Sequence, residues 1–415
     1  MSQRHGFLPW VIGVAWLGVL AAPPQHAWSG EPGRPGQSRA AEPVDADGIA
    51  LEWRPLEPLP DPIGVAGPFV GVHGGSLIVA GGANFAAADA PDLWETPKRY
   101  HAAVHVLSRA ADGRVSWRSG LALTRPLAYG ASASTPAGVV CVGGDDGETA
   151  SSAAFLLSWK PDTAALLEVA LPGLPMPSTA GGAALVGRHV YVVAGLSAPG
   201  LESAGDRLWR LDVAAVADGD ASWEELPRVP GGPRGYPLVA AQACDGEPRL
   251  YVIGGRRQRP GNLGPGGIEV LADLHEFSPA RFAADAATAW RRRSPPPTPL
   301  TAGAAIGMGR SHVVVLAADD GSLLPAAAAD PGFPRRHPGF PRRAWAYDTA
   351  QDAWDSAGET PACQVTTPAV SFEGGAVLVS GETRPRVRSS AAWRITPAAG
   401  IRPQAAGGPE SRAAE

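Results

Sequence analysis

Ser76–Gly82 reads SLIVAGG: a short apolar run followed by two glycines. The same form recurs at Gly138–Gly144 (GVVCVGG), His189–Gly195 (HVYVVAG), Arg249–Gly255 (RLYVIGG), His312–Ala318 (HVVVLAA) and Ala376–Gly381 (AVLVSG). Runs of this kind, rich in β-branched residues and stopped by glycine, are strands that end in a turn. Their closing positions, 82, 144, 195, 255, 318 and 381, lie 62, 51, 60, 63 and 63 residues apart. Six copies at similar spacing define a repeat architecture, and periods near about fifty residues point to kelch-type propeller blades.

Four of the six runs are followed by a second strand bearing an aromatic residue: Phe155, Trp209, Phe277, and Trp345 with Tyr347. Most repeats close with a third strand carrying tryptophan, at Trp117, Trp223, Trp290 and Trp354, while the second repeat offers Leu166-Leu167 instead. These aromatics are expected to pack between blades. The sixth repeat runs out one strand short. Ala50–Pro55 (ALEWRP) supplies the missing strand, with Trp53 at the place of the closing tryptophan. Closing a ring in this way leaves no long open edge. The prediction is an all-β, six-bladed kelch-type β-propeller over residues 49–397, its last blade completed by the N-terminal strand.

Composition agrees: 52 glycines and 43 prolines suit many short strands joined by tight turns. A net charge of -5 argues against a nucleic-acid partner. Residues 1–30 have the layout of a secretory signal peptide: Arg4 and His5, the apolar run Phe7–Ala22, then small residues around Ala27-Trp28-Ser29-Gly30. The competing reading is a retained membrane anchor. With the signal removed, the protein is expected to be secreted or periplasmic, with no stable membrane insertion. Residues 31–48 and 398–415, rich in Gly, Pro, Ala and Arg, are expected to be a disordered spacer and tail. Cys141, Cys244 and Cys363 are too few and too scattered for a disulfide framework. No Cys/His cluster has metal-ligand spacing, so neither metal nor cofactor is expected.

The candidate chemistry lies in Val377–Trp393, VLVSGETRPRVRSSAAW. A strand ends at Gly381, another resumes over Ser389–Ile395, and between them is a loop with Glu382, Arg384, Arg386 and Arg388. A loop held by strands at both ends can fix charged groups in place. In a four-stranded antiparallel blade, the loops after strands two and four emerge on one face. Those loops carry Asn84, Asp145, Asp146, Arg256, Arg257, Asp319, Asp320 and the Glu382–Arg388 loop, along with Arg125, Tyr129, Arg234, Tyr236, Thr366 and Thr367. They should converge on one mouth of the central channel. The paired aspartates, each before glycine or close to it, are read as turn residues.

SGETRPRVRSSAAW, together with AGPFVGVHGGSLIVAGGANF, LAYGASASTPAGVVCVGGDDG and HPGF, resembles the cyclically permuted mutarotase family, kelch propellers similar to N-acetylneuraminate epimerase. The resemblance spans about residues 50–396. Gly381, Glu382, Arg384, Pro385, Arg388 and Ser389 match the family's central motif, and Arg386 stands where the family has glycine. Leu127 stands where the epimerase has an arginine two residues before its tyrosine, and Arg125 lies two residues earlier. The motif sits near the C-terminus rather than mid-chain, a circular permutation that agrees with the N-terminal closing strand. The resemblance implies interconversion of the anomers of N-acetylneuraminate (sialic acid) or a related sugar, with Glu382 as the acid/base and Arg388 holding the substrate.

From the residues themselves, mutarotation needs one group to take the proton of the anomeric hydroxyl and another to protonate the ring oxygen. Glu382 is read as the base; Tyr129 is a candidate for the second group. Arg384, beside it, suits a sugar carboxylate, which a guanidinium grips bidentately. Asn84, Arg125 and Thr366 are expected to complete the substrate contacts. The alternative is a non-catalytic propeller binding glycan or protein. A copper radical oxidase, which shares the architecture, would need a Cys–Tyr pair and two histidine ligands at the mouth; Cys141 lies mid-strand and the histidines are scattered.

Overall fold

The computed structural model describes residues 49–398, apart from residues 111, 194 and 263. The expected signal peptide, the spacer and the tail beyond residue 398 lie outside the described residues. The rest forms six four-stranded antiparallel sheets and three two-stranded ribbons. In the first blade the strands run outward from the channel as Phe69–His73, Ser76–Ala80, Ala103–Arg109 and Val115–Ala122. The inner strands of the other blades are Ala131–Thr135, Gly182–Val186, Leu238–Cys244, Thr301–Met308 and Ala369–Phe372. Each inner strand contacts the next, and the sixth contacts the first, so the ring is closed.

The burial pattern explains the sequence pattern. Ser76–Ala80 and Gly138–Val142 are buried at every position because neighbouring blades cover both faces of a second strand. They therefore read as continuous apolar runs rather than alternating ones. The outer strand Val115–Ala122 is largely exposed. Leu51–Leu56 pairs antiparallel with Ala392–Pro397, with Trp53 opposite Ile395, and completes the sixth blade as expected. The strand expected over Ser389–Ile395 lies three residues later, because Ser389 and Ser390 turn the chain and bond to Gly381 and Leu59 respectively.

The closing tryptophans hold the blades together by hydrogen bonds as well as packing. The indole N–H groups of Trp117, Trp223, Trp290 and Trp354 donate to the carbonyls of Glu57, Pro172, Pro227 and Ser294, each just beyond the outer strand of the preceding blade (2.7–3.0 Å). The second blade, which lacks the tryptophan, uses Glu168 instead; it accepts from Thr124 N (3.0 Å) and Thr124 Oγ1 (2.8 Å). Three short helices, Val213–Asp218, Pro279–Ala284 and Leu324–Ala329, lie in connections, an addition that the strand periodicity did not reveal.

At one end of the channel the backbone forms a second closed ring. Gly67, Tyr129, Ala180, Tyr236, Ala302 and Thr366, one from each blade, all have φ between 51° and 65°. Each donates its N–H to the carbonyl of the residue before it in the ring, and Gly67 donates to Thr366, at 2.6–3.0 Å throughout. A left-handed conformation is costly for a β-branched residue such as Thr366, and the ring of hydrogen bonds holds it.

Just outside this ring the glycines that stop the second strands become necessary. A Cβ on Gly81, Gly143 or Gly254 would lie 2.0–2.3 Å from the carbonyl oxygens of Leu127, Ser178 and Leu300 in the next blade. In the sixth blade Ser380 takes this place with φ 58°. Its hydroxyl accepts from Val65 N (2.7 Å) and donates to Ser389 O (2.8 Å), joining the last blade to the first. Ser380→Ala orphans a buried N–H and should lower unfolding stability by about 1–3 kcal/mol, a loss measurable as a shifted denaturant midpoint at unchanged m-value.

Candidate active site

The residue following each strand-stopping turn bonds to the segment just before the left-handed ring. The pairs are Ala83 with Ala66, Asp145 with Ala128, Leu196 with Thr179, Arg256 with Gly235, Asp319 with Thr301 and Glu382 with Val365. Ala83, Asp145, Leu196, Arg256, Asp319 and Glu382 therefore occupy equivalent positions around the mouth. The loops after strands two and four do share one face.

The loop expected over Glu382–Arg388 is a two-stranded ribbon, Glu382–Arg384 against Val387–Arg388. Its register sets Glu382 directly opposite Arg388. Arg388 Nη1 lies 2.7 Å from Glu382 Oε1, with the arginine side chain 2% exposed and the glutamate 18%. The contact is an ion pair rather than a directed hydrogen bond. Arg388 Nε donates to Ala83 O (3.2 Å), its guanidinium lies 5.1 Å from the Phe85 ring centre, and it is within hydrogen-bond reach of the Tyr129 hydroxyl. Burial works against its charge, but Glu382 and Tyr129 outweigh it and hold the guanidinium protonated. Arg388 thus acts electrostatically on both the carboxylate and the phenol.

Arg386, at the turn of the ribbon, adopts φ 69°, the conformation a glycine would take there. That turn aims its N–H at Glu382 Oε1 (2.9 Å). Its side chain donates to Leu93 O (3.0 Å) and Thr96 O and stacks on Phe85 (4.0 Å to the ring centre), clamping the ribbon to the first-blade loop. Glu382 Oε1 is therefore engaged twice, whereas Oε2 accepts no hydrogen bond among the described residues.

Tyr129 belongs to the left-handed ring and lines the channel mouth with Tyr236 and Thr366. Burial pushes its phenol up to about 12, against the pull of Arg388, so it is neutral at pH 7 and can donate a proton. Tyr100 meets it edge-on (6.5 Å), and burial and the Asp145 carboxylate push the Tyr100 phenol well up. Lys98, which the sequence reading passed over, places its Nζ 4.9 Å from the centre of the Tyr129 ring. His337, in the HPGF segment, feels Asp319, Glu382 and Arg384, and burial lowers its pKa. Phe340 N donates to Thr383 O (3.2 Å), laying that segment on the ribbon.

The other expected contacts divide. Arg384 is half-buried on the ribbon and makes no ion pair among the described residues. Thr366 lines the mouth, but its hydroxyl bonds back to Val365 O (2.7 Å). Asn84 is buried, and its amide is spent internally on Gly64 O (3.0 Å), Asp61 (3.3 Å) and His101 Nε2 (2.7 Å). Arg125 is exposed and donates to Ser151 Oγ, away from the Glu382 cluster. Arg234, placed at the mouth by the loop argument, is fully buried in a bidentate pair with Asp273. The aspartates do serve turns: Asp145, Asp146, Asp319 and Asp320 accept from backbone N–H groups two residues on.

Fold and mouth together define a six-bladed β-propeller with a charged, tyrosine-lined site at one end of its channel. In sequence, the chain is 33% identical over 137 residues to the N-acetylneuraminate epimerase of Vibrio cholerae serotype O1, covering 29% of this chain and 34% of that one. It is 36% identical over 130 residues to the protein of that name from Yersinia pestis (27% of this chain, 31% of that one). The match to the Brucella suis protein of that name is 36% over 121 residues, 26% of this chain and 31% of that one. The chain thus spans about a third of the length of the curated relatives it matches. No protein-family model matches it. A solved structure described as YjhT superimposes with a TM-score of 0.54 at 13% identity, covering 82% of this chain and 98% of that one, a likeness of fold.

Proposed function

We propose that the protein is a mutarotase that interconverts the anomers of N-acetylneuraminate or a closely related sugar acid by general acid–base catalysis. The observation that carries this reading is the Glu382–Arg388–Tyr129 cluster: a carboxylate with one free oxygen, a neutral phenol and a buried guanidinium acting on both. Glu382 Oε2 takes the proton of the anomeric hydroxyl. The O–H electron pair becomes the second bond of a carbonyl, the bond from the anomeric carbon to the ring oxygen breaks, and the ring oxygen takes a proton from Tyr129. Arg388, against the phenol oxygen, stabilises the phenolate that results. The open-chain ketone rotates and closes on its other face by the reverse transfers, which restores both groups. The similarity to proteins named N-acetylneuraminate epimerase supports the choice of sugar. We also infer export, from the charged start and apolar run of residues 1–30; among the described residues no helix is long and apolar enough to cross a membrane.

The test is exchange spectroscopy by NMR on N-acetylneuraminate anomers with and without the protein. Exchange that accelerates in proportion to protein concentration is expected. Binding of the sugar without acceleration would instead identify a non-catalytic, glycan-binding propeller.

A further inference from the structure

Arg256 is the fourth blade's counterpart of Glu382: each follows a strand-stopping glycine and bonds to the residue before a member of the left-handed ring. Of the charged residues at the six equivalent positions, Glu382 is paired with Arg388. Asp145 is taken up by Gly147 N, Thr179 Oγ1 and the Tyr100 hydroxyl. Asp319 accepts from Gly321 N (3.0 Å), and burial pushes its pKa above the usual carboxylate range.

Arg256 differs from all of these. Its guanidinium lies over the face of Tyr236, 4.2 Å from the ring centre. Among the described residues it enters no ion pair and its guanidinium makes no hydrogen bond; its Nε is buried without a partner, and the Asp319 carboxylate feels its charge without bonding it. Its neighbour Arg257 is fully engaged by Glu269 (2.9 Å) and Gly231 O (2.9 Å). A planar fork of donors, held flat by stacking and left without acceptors, is suited to a bidentate anion. Tyr236, under Arg256, and Tyr129, beside Arg388, belong to the same left-handed ring and line the same mouth.

We propose that Arg256 receives the carboxylate of the substrate, stacked on Tyr236 two blades round the mouth from Glu382. The inference rests on the mutarotase reading. In a sugar whose carboxylate is attached to the anomeric carbon, a grip on that carboxylate also orients the hydroxyl that Glu382 must reach. Arg388, already committed to Glu382, Tyr129 and Ala83, then serves the base rather than the substrate.

Binding and anomer exchange should be measured for N-acetylneuraminate and for its uncharged methyl ester, with the wild type and with Arg256→Met, Arg384→Met and Arg257→Met. The wild type should prefer the acid. Arg256→Met should weaken binding of the acid by about 10- to 100-fold, the worth of charged hydrogen bonds, and bring it near the ester. Arg257→Met, which removes an equal charge next door, should keep the preference. An acid preference that survives Arg256→Met, or that collapses only in Arg384→Met, overturns the assignment while leaving the mutarotase reading in place. A wild type that binds neither compound overturns both.

Discussion

Glu382→Gln should abolish most of the acceleration of anomer exchange, a loss of about 10²–10⁴-fold, the usual contribution of a positioned general base. Glutamine has the shape of glutamate and can still accept the Arg386 N–H, so the ribbon should keep its turn. Two things change. The free oxygen that takes the proton gives way to an amide, and the buried Arg388 loses its counter-charge. Breaking a buried pair by removing one partner costs about 3–5 kcal/mol, less here to the extent that the amide oxygen still faces the guanidinium. Exchange kinetics and denaturant midpoint should therefore be read on the same sample. Lost exchange in a folded variant assigns the base; exchange that persists at the wild-type rate moves the base to another residue.

The largest effect on stability is expected at Arg234. Its side chain has no exposure and holds Asp273 through two contacts (2.8 and 3.0 Å), with further bonds to Gly254 O and Pro230 O. Arg234→Met would leave the half-buried Asp273 carboxylate with His275 alone, and two carbonyls without their donor, and should lower stability by about 3–5 kcal/mol. Asp273 makes the same site visible in acid. Burial alone would raise its pKa, but His275 and Arg234 more than offset this and hold it at about 2, against 3.8 for the unperturbed group. A depressed carboxylate stabilises the folded state above its unfolded value. About 2 kcal/mol should therefore be present at neutral pH and lost as pH falls from about 4 through 2. In Arg234→Met the acid limb should be shallower, because much of that depression is gone.

Much of the architecture was legible because its causes are local. An apolar run that stops at glycine is a second strand covered on both faces, and the tryptophan of Ala50–Pro55 marked it as an outer strand without a blade. Glu382 and Arg388 were visible as charges in a loop between two strands. Which polar groups are free to act was not, because that depends on partners far away in sequence. Asn84 carries the same amide whether or not Asp61 and His101 use it. Arg125 lies four residues before Tyr129, yet its side chain leaves for Ser151. The left-handed backbone of Tyr129 and Thr366 has no composition signal, since hydrogen bonds between blades impose it. Arg256 was placed at the mouth by its loop, and aligning the repeats on their closing glycine puts it in register with Glu382. Its freedom from partners was not legible.

The clasp between Leu51–Leu56 and Ala392–Pro397 also has a mechanical consequence. The strands are antiparallel, with Leu51 opposite Pro397, and Ala398 N bonds Ala50 O (2.8 Å), so the two ends leave the ring side by side. Tension between them acts along the interstrand hydrogen bonds, not across them. The rungs then carry the load one at a time and part in succession, as a zip does, where a pull along the strands would have to shear them together. In a single-molecule pulling experiment the ring should open at its seam at low force, before the other blades yield. The seam that closes the ring is thus also the place where tension applied at its ends opens it.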